Sequence, residues 1–289
     1  MKLPYPVWRL GLMPIRLNRA LRYEWPRIRN ICTWLFASRE TTNFTYDLTE
    51  RNLSHLADIV AMVTGCPREA ATQYLYEPTR DHVLLSHIRR TVIRSPFRFK
   101  SDIEPHFGRR LGWYAFARAL KPRIVVETGV DKGLGSVLLC SAIAQNVREG
   151  FPGCYYGTDI NPRAGFLLCG EYAAMGKILY GDSIESLRKL PCSVDLFIND
   201  SDHSAQYESS EYETIAAKLS PSAVILGDNA HATDSLRRFA IQSHKQFLFF
   251  CESPTRHWYP GGGIGISFSG SYPKRVSGVR PAVAAGRSR

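Results

Sequence analysis

Two short segments combine residue types that could do chemistry together. DLFINDSDHSAQY, residues 195–207, carries Asp200, Asp202 and His203, and VILGDNAHA, residues 224–232, carries Asp228, Asn229 and His231. Carboxylate and amide oxygens are hard ligands, suited to Mg2+ or a similar divalent cation. An imidazole beside them has an ordinary pKa of about 6.5 and is suited to moving a proton. No Cys/His spacing of a structural zinc site is present. Each residue also has a plainer use. Asp202 could cap the helix that follows the first segment, Asp228 and Asn229 could cap the helix after the second, and His231 reads as a loop or supporting residue.

A second group lies upstream. VETGVDKGLGS, residues 126–136, places Gly129, Gly133 and Gly135 where a strand turns into a helix. Glycines there permit a tight turn, a close backbone approach to a ligand, and access to free helix amides. Glu127 at the strand end would repel a pyrophosphate but suits a cationic ligand, and S-adenosylmethionine has an ammonium and a sulfonium and no phosphate. Asp159, closing YYGTDI, could accept both ribose hydroxyl protons, and Asp182 with Ser183, in YGDSIESL, could meet the adenine edge. Taken alone, Asp159 could equally be a strand-end acid or a helix cap.

These residues need a scaffold that delivers them to one edge. The pattern gives strands near 123–128, 155–159, 178–180, 194–199, 222–228, 246–251 and 264–269. Helices fall near 135–147, 162–174, 183–189, 206–219 and 233–242. Alternating strands and helices predict a largely parallel sheet covered on both faces, with ligands at the carboxyl ends of the strands. The last two strands have only residues 252–263 between them and are predicted to be antiparallel neighbours. In that loop, Trp258 and Tyr259 could line an acceptor pocket or make a subunit contact. Before residue 111 the sequence reads as helices near 15–24, 48–65, 68–76 and 81–94, then an apolar helix over 111–120.

With these motifs in place, residues 111–269 resemble a class I S-adenosylmethionine-dependent methyltransferase, nearest to the metal-dependent sugar and macrolide O-methyltransferases and more distantly the catechol type. The resemblance implies a Rossmann-like α/β fold: a seven-stranded sheet of order 3-2-1-4-5-7-6, here with a helical N-terminal extension. It implies cofactor contacts at Glu127, Gly129, Gly133, Gly135, Ser136, Asp159, Asp182 and Ser183. Gly135 stands where many relatives carry serine, and Ser136 follows it. It implies Mg2+ or a similar cation on Asp200, Asp228 and Asn229, with Asp200 and His203 as catalytic residues and His203 as general base. The catechol-type enzymes have lysine in place of His203, which favours a sugar-like hydroxyl acceptor here.

The sequence thus divides into a helical region over 1–110, serving assembly or the acceptor pocket, a catalytic domain over 111–269, and a basic flexible tail over 270–289. The net charge of +11 belongs to the two ends: residues 101–269 hold 16 basic and 18 acidic residues. A nucleic-acid enzyme would concentrate positive charge around its cleft, so a small-molecule hydroxyl acceptor is the expected partner. The basic N-terminus leaves peripheral contact with an anionic membrane open, and a homo-oligomer is the other expected use of the helical region. Seven scattered cysteines without a CxxC pair, and no recognisable signal peptide, point to the cytoplasm. A nicotinamide-dependent oxidoreductase would also use glycines and a ribose acid, but gives no reason for the Asp200 and Asp228 clusters. A non-catalytic binding protein on the same fold is the other rival.

Overall fold

The computed structural model describes residues 5–42, 45–190 and 193–270, with the side chains of residues 5–7 left aside. The predicted tail therefore lies outside the described residues from position 271 onward.

The chain opens with helix α1 (Tyr5–Ala37), a two-residue strand β1 (Asp47–Leu48), and helices α2 (Glu50–Thr64), α3 (Arg68–Arg80) and α4 (His82–Arg94). Local chemistry sets these limits. The Thr49 hydroxyl accepts the Asn52 amide at the start of α2, and Gly65, at φ 74°, closes it. Asp81 caps the Val83 and Leu84 amides of α4. The predicted helix over 15–24 is the middle of the longer α1, which contains Pro14 and Pro26.

The remainder alternates as expected: α5 (Arg110–Leu120), β2 (Ile124–Thr128), α6 (Leu134–Arg148), β3 (Cys154–Asp159), β4 (Gly176–Tyr180), α7 (Ser183–Lys189), β5 (Val194–Asn199), α8 (Ala205–Ala216), β6 (Leu219–Asp228), α9 (Ser235–Gln242), β7 (Gln246–Cys251), β8 (Pro254–Thr255) and β9 (Gly263–Phe268). Seven strands form one sheet in the order β4-β3-β2-β5-β6-β9-β7. Counted from β2 and setting β8 aside, that is 3-2-1-4-5-7-6. β9 runs antiparallel between β6 and β7, and β8 instead pairs with β1.

One predicted helix is absent. Residues 162–169 form turns, and only a tight 3-10 turn at Gly170–Met175 precedes β4. The backbone is committed elsewhere: the Gly165 amide donates to Asp131 O (2.6 Å) and the Leu167 amide to Lys132 O (3.1 Å). Gly165, at φ 76°, also presses on Ile178. The segment braces the turn after β2 and cannot wind on itself.

Period-two alternation sorts the strand residues between two layers. Val125, Leu196, Ile198, Val224 and Leu226 join the core formed with α2–α6. Val126, Phe197 and Ile225 face the core formed with α7–α9. α5 is buried on nearly every side, with Trp113 and Phe116 wholly enclosed. The parallel registers align Thr128 with Thr158 and Asn199, and Asp159 with Tyr180, so the strand ends form one rim.

Candidate active site at the carboxyl edge of the sheet

A cavity of about 600 Å³ opens along that rim. Its wall includes Gly129 and Asp131 after β2, Asp159 and Ile160 after β3, and Gly181, Asp182 and Ser183 before and within α7. It continues through Asp200–His203 after β5, Tyr207 on α8, Asn229 after β6, and Arg109 and Arg110 at the head of α5.

On the β3 side, Asp159 is held by two backbone donors. Its Oδ2 accepts the Asp131 amide (2.9 Å) and its Oδ1 the Asn161 amide (2.8 Å). The carboxylate keeps further lone pairs for a ligand. Asp182 caps α7 through the Glu185 amide (3.0 Å) and accepts the Tyr207 hydroxyl (3.0 Å). Ser183 Oγ lies 2.9 Å from that hydroxyl and donates to Glu211.

Four residues expected at the cofactor do not line the cavity. Glu127 shares the face of Val125 and turns under α5 and α6. It is 1 % exposed, and Ser136 Oγ (3.0 Å) and the Tyr155 hydroxyl donate to it. Burial raises its carboxyl to about 7, against the lowering effect of those two donors. Ser136 is enclosed in the same network. A Cβ on Gly135 would lie 2.2 Å from Glu127 Oε1, and one on Gly133 2.9 Å from Gly165 Cα. These two glycines are thus required by packing within the protein. Gly129 does reach the cavity, but at φ 80° a Cβ there would stand 1.9 Å from Asp200 O, so the crossing of the β2 and β5 ends also demands glycine.

On the β5–β6 side, one ligand atom each from Asp200, His203 and Asp228 lies within 4.8 Å of the other two. His203 Nε2 is 3.7 Å from Asp200 Oδ1 and 4.0 Å from Asp228 Oδ2, and its Nδ1 is 3.5 Å from Glu208 Oε1. Glu208 raises the imidazole pKa above its ordinary value, with burial opposing. Burial and the facing Asp228 push Asp200 well above the carboxylate range. Burial works the same way on Asp228, but Arg109 outweighs it and holds Asp228 ionised.

Arg109 is the residue that the motifs did not reveal. Its side chain is 2 % exposed and grips Asp228 with Nε and Nη2 (2.5 Å to Oδ2), while Nη1 donates to the Tyr46 hydroxyl (2.8 Å) and lies 3.9 Å from Glu252. Arg110 Nη2 stands 3.8 Å from Asp200 Oδ2. The available signal was a pair of arginines heading an apolar-rich helix: buried charges need buried partners.

The helix-cap alternatives fall away. Ser204 caps α8, with Asp202 accepting the Ser204 amide (3.0 Å), and α9 begins only at Ser235. Asn229 sits in the left-handed region at φ 49°, beside His203 Nε2 (3.2 Å) and the Tyr259 hydroxyl (3.4 Å). Trp258 packs against Trp34 of α1.

The donor set fits a divalent cation. Two carboxylates and an imidazole converge, and Arg109 leaves lone pairs on each Asp228 oxygen. A cation between Asp200 and Asp228 would offset the repulsion that now raises Asp200. The cavity likewise has the volume expected for a cofactor-sized ligand.

Residues 126–230 match the family described as "Methyltransferase domain". No curated protein matches the chain. Among solved structures, the SAH-bound methyltransferase PaMTH1 of Podospora anserina is 16 % identical with a TM-score of 0.47, covering 68 % of this chain and 93 % of its own. The O-methyltransferase TomG of Streptomyces achromogenes, in complex with SAM, is 15 % identical (TM-score 0.42, 53 % and 76 % covered). The O-methyltransferase of Bacillus cereus, in complex with SAH, is 13 % identical (0.40, 76 % and 92 %). The assignment of the fold rests on the strand order and on the family match. The protein carries a class I S-adenosylmethionine-dependent methyltransferase fold, with Asp200, His203 and Asp228 as its candidate metal triad.

Proposed function

We propose that this protein transfers a methyl group from S-adenosylmethionine to a hydroxyl of a small molecule, a sugar or a glycosylated natural product, with help from Mg2+ or a similar cation. The observation that carries this reading is the convergence of Asp200, His203 and Asp228 on the same cavity that Asp159, Asp182 and Ser183 enter from the other end.

Bound S-adenosylmethionine supplies a methyl already activated by its sulfonium. Asp159, oriented by two amides, accepts the ribose hydroxyls. Ile160 gives the base an apolar wall, and Asp182 and Ser183 meet its polar edge. Glu127 supports the turn from beneath rather than touching the ligand. Asp200 and Asp228 hold the cation, which, when bound, stabilises negative charge developing on the acceptor oxygen. Asn229 would be the third ligand. In this reading His203 is the base and not a ligand: Glu208 favours the proton on Nδ1, leaving Nε2 to take the acceptor's proton. Arg109 keeps Asp228 ionised and fixes its plane.

The test is methyl transfer from labelled S-adenosylmethionine to a panel of sugars, glycosides and phenols, with Mg2+ and after chelation. Label should enter a glycoside hydroxyl, Mg2+ should stimulate it, and Asp200→Asn and Asp228→Asn should abolish the stimulation. Cofactor binding without transfer to any acceptor, and without a metal effect, would instead indicate a binding protein.

A further inference from the structure

Helix α1 stands largely apart from the domain. From Trp8 onward it carries six arginines and a single acid, Glu24. Leu10, Leu17, Leu21, Ile28, Ile31 and Leu35 recur at spacings of three, four or seven residues, which places them along one side. Leu10, Leu17 and Leu35 are each more than 60 % exposed, as is Trp25. Near its end the helix meets the domain: Trp34 lies edge-on to Trp258 at 5.4 Å, and Asn30 Nδ2 donates to His257 O (3.1 Å). An apolar stripe of this extent marks an interaction surface.

Charge decides what covers it. A second copy laid on the stripe would bring two arginine-rich helices together with one acid each, against like-charge repulsion. Pro14 and Glu24 also fall on the heptad positions such a seam would need. An anionic lipid surface removes the first obstacle, and Glu24, on the stripe, has Arg27 Nη1 3.8 Å away to offset its charge. Its headgroups complement the arginines, its acyl boundary takes the leucines, and the tryptophans suit the interface between them. Pro14 and Pro26 each remove one intrahelical hydrogen bond, and the carbonyl freed by Pro26, that of Arg22, falls on the arginine side. Among the described residues no helix is long and apolar enough to cross a membrane. We propose that α1 lies along an anionic phospholipid surface as an interfacial anchor, leucine stripe inward and arginines among the headgroups.

The experiment is flotation of the full chain with vesicles of phosphatidylcholine alone or with added phosphatidylglycerol, alongside light scattering for mass. Binding should require phosphatidylglycerol and weaken with salt. At roughly fivefold per arginine near the surface, Arg16→Glu/Arg19→Glu/Arg22→Glu should lower partition about 100-fold or more. Leu17→Glu/Leu21→Glu should abolish it. Both variants change exposed positions, so S-adenosylmethionine affinity, measured on each, should be unchanged. Equal partition onto both vesicle types, or none, would overturn the proposal. So would a dimeric wild type that the leucine variant converts to monomer, since the stripe would then serve a second copy.

Discussion

Replacing Glu127 by glutamine separates two roles that the sequence could not distinguish. In the structure the carboxyl is enclosed with Ser136 and Tyr155 beneath the β2–α6 turn, and burial raises it from an ordinary 4.5 to about 7. The native state therefore binds more protons than the unfolded chain between those values, and linkage makes stability fall as pH rises through that window. At about 1.4 kcal/mol per pH unit, this group makes the native state roughly 3 kcal/mol less stable above pH 8 than below pH 4. Glutamine keeps the shape and an acceptor oxygen but cannot ionise. Urea unfolding of both proteins across this range should show the variant gaining on the wild type by about 3 kcal/mol, with most of the gain between pH 5 and 7. Calorimetry should show S-adenosylmethionine affinity changed by less than about threefold, well under the loss expected for a removed charged contact. A stability difference independent of pH, together with a tenfold or greater loss of affinity, would refute the reasoning and put Glu127 on the cofactor.

Three further outcomes follow from the geometry. Arg109→Gln leaves Asp228 and Glu252 buried without their cation and should cost about 3–5 kcal/mol in urea unfolding. A catalytic base must be neutral to accept a proton, so turnover should fall as pH drops through the His203 pKa, and His203→Gln should flatten that acidic limb while slowing turnover about 10²–10⁴-fold. Gly129→Ala drives a Cβ against Asp200 O at φ 80° and should cost about 2–5 kcal/mol, measured by thermal unfolding with S-adenosylmethionine binding as a second readout.

The strand ends were legible because alternating strands and helices bring successive acids to one rim. Asp159, Asp200 and Asp228 needed no knowledge of side-chain packing to be placed there. Glu127 was also placed on the rim, but a strand residue's face is set by parity. Val125 and Glu127 share the face under α5, and the same rule that identified the strand, applied one residue further, turns the carboxylate inward. Gly133 and Gly135 fit a ligand-binding turn by position, whereas their actual neighbours, Gly165 and Glu127, are tertiary and invisible to spacing. The missing helix over 162–174 has the same origin, since its backbone donors serve the β2–α6 turn. Arg109 escaped because its partners, Tyr46, Asp228 and Glu252, are scattered across the chain and meet only in the fold.

The central claim is that the cavity binds an adenosyl cofactor through the β3 side of the rim. Calorimetric titration of wild-type and Asp159→Ala proteins with S-adenosylmethionine, and of the wild type with NAD, tests it most directly. The structure predicts saturable one-site binding of S-adenosylmethionine, a loss of about 10- to 100-fold on removing the Asp159 carboxylate, and no response to NAD. Binding of NAD in place of S-adenosylmethionine, or an S-adenosylmethionine affinity indifferent to Asp159, would contradict it.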